Sequence, residues 1–256
     1  MKQTFILFLI SLCVLSCSDN SDPSQNISAT PTFKFSHYWN NEAVTISDFS
    51  TIQYTNQNGD LLSIERLRYV ISDITFTTAT GENLRLGDYN LVDITNNNAL
   101  NYIPTTQIPI GTYANVSFTF GFDNEDNAKN YLDLNSESFN VPDMLGGGYH
   151  YMQFDGKYLD TNATEQGFNY HAIRAVDNPG ANPTFPQDTF FTVNLGQITI
   201  TNTVEIEIRA NLAEWFRNPN VWDLNELNQT LMPNSAAQIM MFENGQSVFS
   251  LGEVIP

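Results

Sequence analysis

Three histidines, His37, His150 and His171, are the only imidazoles in this chain. Imidazole suits several transition metals, copper in both oxidation states among them, while a thioether sulfur is soft and favours Cu(I). The thioethers that could join them are Met144, Met152 and Met232. No two of the histidines stand at a local ligand spacing such as HxxxH. A metal centre therefore needs the fold to bring distant strands together. Each residue also has an ordinary structural role open to it. A single His on an apolar strand face serves well as a hydrogen-bonded core residue, and a Met as a core filler.

A second group of donors lies in GFDNEDN, residues 121–127. Asp123 and Asp126, with the neighbouring Asn and Glu side chains, crowd oxygens into a turn, and calcium takes six to eight of them. The stretch lacks the glycine and the distal Glu of an EF-hand. Its other reading is a helix start, with Asp123 as the cap and acids in the first turn. The run Gly146-Gly147-Gly148 precedes a strand and is not followed by Lys-Ser/Thr. It is a bend or a close backbone approach, not a phosphate loop. Tyr149, Tyr151, Tyr158 and Tyr170 form either a glycan-stacking face or part of the core. There is no Gly-x-Ser-x-Gly, no HExxH and no cysteine after Cys17. The sequence thus predicts binding, not catalysis.

The elements that would position these side chains are strands. Thr32–Trp39 alternates and puts Phe33, Phe35, His37 and Trp39 on one face. Ser63–Phe76, Leu84–Ile94, Tyr113–Phe122, Phe190–Leu195 and Gln197–Ala210 are strand-like too. Tyr149–Tyr158 groups His150 with Met152 and Phe154, and Gly167–Val176 groups His171 with Asn169 and Ile173. Ser235–Glu243 is the best helix, with Ser235 as its cap and Gly245 past its end. The expected fold is all-β: one β-sandwich or barrel-like domain over residues 31–256 with short helical insertions.

Residues 1–16 form a secretory signal, with Lys2 ahead of the apolar run Phe5 to Leu15. The sequence Val14-Leu15-Ser16-Cys17 resembles a lipobox, which implies lipidation of Cys17 and a membrane anchor. Residues 17–30 are a polar, acidic tether. Acids directly after the lipidated Cys resemble the surface-export signal of Bacteroidetes lipoproteins, so the expected location is the outer membrane, facing outward. The net charge of −18 argues against nucleic acid as a partner.

Four stretches resemble the MbnP-like family of copper-binding proteins: FKFSHYWNNEAV, LRYVISDITFTTATGE, GTYANVSFTFGFDNEDNAKNY with GGGYHYMQFDGKY, and the C-terminal run from NPNVWDLNEL to QSVFSL. They span residues 31 to 252, nearly the whole mature chain. The resemblance implies a sandwich-like domain that holds copper. His37 matches the family's N-terminal His, His171 in FNYH another family position, and Met232 a family Met. His37 and His171 are accordingly the expected leading ligands, with Met232 and His150 behind them. In some members a di-haem oxidase of the MbnH type converts a tryptophan to kynurenine. The Trp-x-Trp pair of such relatives is missing from VPDMLGGGY, leaving Trp39, Trp215 and Trp222. A surface module for glycan or protein, its metal site lost, is the alternative.

Overall fold

The computed structural model describes residues 27–87, 89–201 and 203–256. The signal segment, Cys17 and most of the tether lie outside the described residues. Along the chain run β1 (Ser28–Ala29), β2 (Thr32–Trp39), β3 (Glu42–Val44), β4 (Tyr54–Thr55), β5 (Leu61–Leu62) and β6 (Arg66–Thr77). Next come β7 (Asn83–Arg85), β8 (Tyr89–Asp93), β9 (Asn101–Tyr102), β10 (Ile108–Pro109), β11 (Gly111–Phe120) and the short helix α1 (Leu132–Ser136). The rest are β12 (Met152–Leu159), β13 (Glu165–Ala172), β14 (Phe191–Ile200), β15 (Glu205–Asn211), α2 (Ser235–Gly245) and β16 (Phe249–Ile255).

Two sheets face each other. The larger runs β14-β11-β6-β12-β5-β4, with β13 on β12 and with β7 and β8 on β6. The smaller runs β16-β15-β2-β3, with β9 on β2. The pairing of β2 with β15 is parallel; the others are antiparallel. The all-β sandwich expected from the alternation is therefore the observed fold. Aromatic rings fill the space between the sheets: Phe33 packs on Phe76 and Phe35 on Tyr69 across the gap. Phe120 stacks on Phe191 and meets Trp215. Among the described residues no helix is long and apolar enough to cross a membrane.

Several boundaries differ from the sequence reading. Ser28 and Ala29, assigned to the tether, pair with Pro109 and Ile108 as a two-stranded sheet. The helix start read after Asp123 is only the 3-10 turn Asp126–Ala128, and the first α-helix, α1, begins later at Leu132. Helix α2 is capped by Asn234, whose side chain accepts the Ala237 N–H, and Gly245 lies inside it. Tyr149, Tyr151, Tyr158 and Tyr170 are all buried, which removes the glycan face drawn on them. Their apolar rings are worth more in the core than on the surface.

The register of the β12–β13 hairpin is what matters most for the site. A turn closes it, with the Asp160 N–H on the Thr164 carbonyl and the Ala163 N–H on the Asp160 carbonyl. Gln153 then faces His171 and Asp155 faces Asn169. On its other side β12 sets Gln153 opposite Arg68 and Met152 opposite Tyr69. Gly156 lets β12 run close to Ser63: a Cβ there would stand 2.1 Å from the Ser63 carbonyl oxygen. Gly156→Ala is expected to cost about 1–3 kcal/mol, the usual range for overpacking. Urea denaturation checks this; an unchanged midpoint would mean that the backbone yields freely there.

Candidate metal centre

Neighbouring residues of a strand point to opposite faces of the sheet. Arg68 and Gln153 lie on the outer face of the large sheet, and His171, opposite Gln153, joins them. Tyr69 and Met152 point inward. The Tyr69 hydroxyl meets His37 Nε2 at 3.0 Å in the buried space between the sheets. His37 and His171, the two leading ligands expected from sequence, thus sit on opposite faces of one sheet. His37 fills the core role instead: burial holds its pKa down to about 3, so it stays neutral.

The residue that joins His171 is His150. It sits just before β12, where its backbone N–H and its Nδ1 both bond the Phe139 carbonyl oxygen, each at 2.9 Å. The His150 and His171 ring centroids are 5.2 Å apart, with the ring planes at 84°. A nitrogen ligand stands about 2 Å from a bound ion, so two imidazoles sharing one ion have centres roughly 5–6 Å apart. The observed pair matches that separation.

The hydrogen bonds decide which nitrogens are free. A carbonyl oxygen only accepts, so Nδ1 of His150 carries the proton and Nε2 presents a bare lone pair. That Nε2 is buried and has no hydrogen-bond partner among the described residues. His171 Nε2 lies 2.7 Å from Asp155 Oδ1, so Nε2 carries a proton and, in the neutral ring, Nδ1 holds the lone pair. Asp155 also accepts from Asn169 at 2.6 Å and pairs with Arg66. Burial pushes the Asp155 carboxyl up, but His171, Asn169 and Arg66 outweigh it and hold it at about 2. Burial is also the main reason the His150 pKa falls to about 4, helped by the nearby His171, Arg66 and Arg68. Both carboxylate and imidazole are thus in the forms a metal site uses at neutral pH.

Met232 is half-buried beside a small apolar cluster of Val141, Leu145, Ile173 and Val176. Its loop is tied to the site's strand by Gln238, whose Nε2 donates to the carbonyls of both His171 and Leu231. Met144 is exposed, and Met152 is buried on the inward face. The sequence reading missed Asp155. It also ranked His150 last, because alternation groups it with the inward Met152; β12 begins only at Met152, and the irregular backbone ahead of it is what sets the His150 ring beside His171.

Asp123 and Asp126 converge with Asp73, their carboxylate oxygens within 4.8 Å of one another. Arg85 lies among them, at 2.5 Å from Asp73, 3.5 Å from Asp123 and 3.7 Å from Asp126, and Lys129 pairs with Asp126. The chain balances this cluster with its own cations. Asp123 Oδ1 accepts the Asp126 N–H at 2.8 Å, the turn-capping role expected for it. Among the glycines 146–148, a Cβ on Gly148 would meet the Asn127 side chain at 2.6 Å, so the run makes a close approach.

Acid should destabilise the fold through His37. Its folded pKa of about 3 lies below the ordinary 6.5, so its contribution is complete above pH 6.5 and is lost as pH falls toward 3. At about 1.4 kcal/mol per decade, acidification to pH 4 removes about 3 kcal/mol through this residue. Urea midpoints of the wild type and His37→Gln across that window check it. The variant should show a flatter pH profile; parallel profiles would show that His37 is not neutral in the fold.

The family model described as MbnP matches residues 28–240. Among solved structures, MbnP from Methylosinus trichosporium is similar at 12% identity and a TM-score of 0.46, over 76% of this chain and 79% of that one. No curated protein matches the sequence. The family match spans most of the chain, and the chain belongs to the MbnP family.

Proposed function

We propose that this protein binds one copper ion at the His150–His171 pair, and that its task is to handle or acquire the metal, not to turn over a substrate. The observation that carries this reading is the His150 Nε2, a buried acceptor with no donor among the described residues, beside a second imidazole. Leaving such an atom unpaired costs about 1–3 kcal/mol, and a metal ion removes that cost. His150 Nε2 and His171 Nδ1 would hold the ion, with Met232 as the candidate thioether from the adjoining loop. When bound, copper supplies a one-electron couple at a site of neutral ligands. Asp155 fixes the His171 tautomer and raises the basicity of its ring, and the Phe139 carbonyl does the same for His150. Membership of the MbnP family points to copper over other metals.

The sequence of residues 14–17 supports a lipid anchor on Cys17, and the acids after it support an outward-facing place at the outer membrane. Trp39, Trp215 and Trp222 are buried in the core. With the Trp-x-Trp pair missing, this supports a centre of unmodified side chains; a di-haem oxidase of the MbnH type, if it is the partner, would have only these three tryptophans to act on.

Metal analysis of copper-loaded protein tests the reading. Wild type should hold about one copper per chain. His150→Ala and His171→Ala should each lose it, and His37→Gln should keep it. Asp155→Asn should weaken affinity roughly 10–100-fold, as loss of an outer carboxylate does. Copper retained by both single alanine variants, or lost on His37→Gln, would contradict the assignment.

A further inference from the structure

A cavity of about 460 Å³, apart from the imidazole pair, has walls of aromatic rings. Phe122 forms its buried floor, and Tyr89, Tyr102 and Tyr131 line it half-buried. The platform is rigid. Tyr131 stacks on Phe122 at 4.9 Å with 9° between planes, and the Tyr89 ring meets it edge-on at 4.6 Å. The Tyr89 hydroxyl donates to Asp133. Asp126 and Lys129, hydrogen-bonded to each other, give the same cavity a carboxylate and an ammonium.

Lys129 also borders a second cavity, of about 400 Å³. Its character is different: Asn124, Asn127, Asn130 and Asn140 line it together with Arg174. Amides both donate and accept, and among the described residues no carboxylate lines this second space. The two cavities share Lys129, one presenting ring faces and the other amides held in place by one internal bond each: Asn124 Nδ2 donates to Asp188, Asn127 Oδ1 accepts the Tyr149 N–H, Asn130 Oδ1 accepts from Asn135 and Asn140 Nδ2 donates to Asn135.

Three ligand chemistries can be weighed against these walls. A flat apolar molecule would suit the rings but would strip water from Asp126 and Lys129 and leave the asparagines unused. An anion would suit Lys129 and Arg174 but would face Asp126 and the field of a chain carrying −18. A pyranose ring has C–H faces for tyrosine and hydroxyls that both donate and accept. We propose that the two cavities are adjoining subsites for an uncharged oligosaccharide, with Tyr102 and Tyr131 as stacking surfaces and Lys129 and the asparagines as hydroxyl partners. Held aromatics bind at low entropic cost. This proposal is independent of the copper reading, since none of its residues belongs to the imidazole pair.

Native affinity electrophoresis of the full chain tests it, in gels containing an α-1,4-glucan, a β-1,4-glucan, a β-1,4-mannan or a β-1,4-xylan, with polygalacturonate as the charged control. At least one neutral polymer should retard the protein. Tyr102→Ala and Lys129→Met should each weaken that retardation at least tenfold while copper content stays at the wild-type level. Lys129 is half exposed, so its substitution leaves the core intact and decides the matter if Tyr102→Ala unfolds. No retardation by any neutral polymer, retardation by polygalacturonate alone, or retardation unchanged in Lys129→Met would overturn the proposal.

Discussion

The pairing of Gln153 with His171 across the β12–β13 hairpin is the constraint on which the site rests. It puts the His171 ring on the outer face of the large sheet, within reach of Asp155 two residues further along β12. The strand's entry point then carries His150, pinned twice to the Phe139 carbonyl. Slipping this register by one residue would turn His171 into the core and break both arrangements. The closed turn at Asp160–Thr164 and the apolar inward face of both strands make such a slip costly.

Two kinds of electrostatic environment share this molecule. On the outer face, Arg66 and Arg68 are tied down by Asp155 and by Gln153 and Glu137. They lower the proton affinity of His150 without blocking its lone pair. Around Asp73 the opposite holds: three acids surround one guanidinium, and burial together with the neighbouring acids raises the Asp73 carboxyl. The excess negative charge of the chain is thus not spent at the imidazole pair. The donors there are neutral, which suits a soft ion better than a hard one.

Strand identity was legible because alternation is local. Thr32–Trp39 matches residue for residue, and His37 on its apolar face does point inward. The same alternation could not say that His37 would meet Tyr69 across the sandwich, because that contact joins residues 32 positions apart in different sheets. The family resemblance favoured His37 over His150, whereas the fold sets His150, not His37, beside His171. The aromatics illustrate a similar limit. Tyr151, Tyr158 and Tyr170 lie within strands or beside them and are buried, whereas Tyr89, Tyr102 and Tyr131 reach a cavity because they come from short edges and loops; Tyr149 is buried yet borders the second cavity. Composition alone does not separate the two sets. Residue 155 offered no signal of its own: an Asp in a strand reads as a solvated face until its partner strand is known.

The central claim is that one copper ion sits between His150 and His171. Anomalous diffraction at the copper edge from copper-loaded crystals tests it most directly. The account predicts a single strong peak within bonding distance of His150 Nε2 and His171 Nδ1, with Asp155 still on His171 Nε2. A peak beside His37, or among Asp73, Asp123 and Asp126, with the imidazole pair vacant, would contradict it.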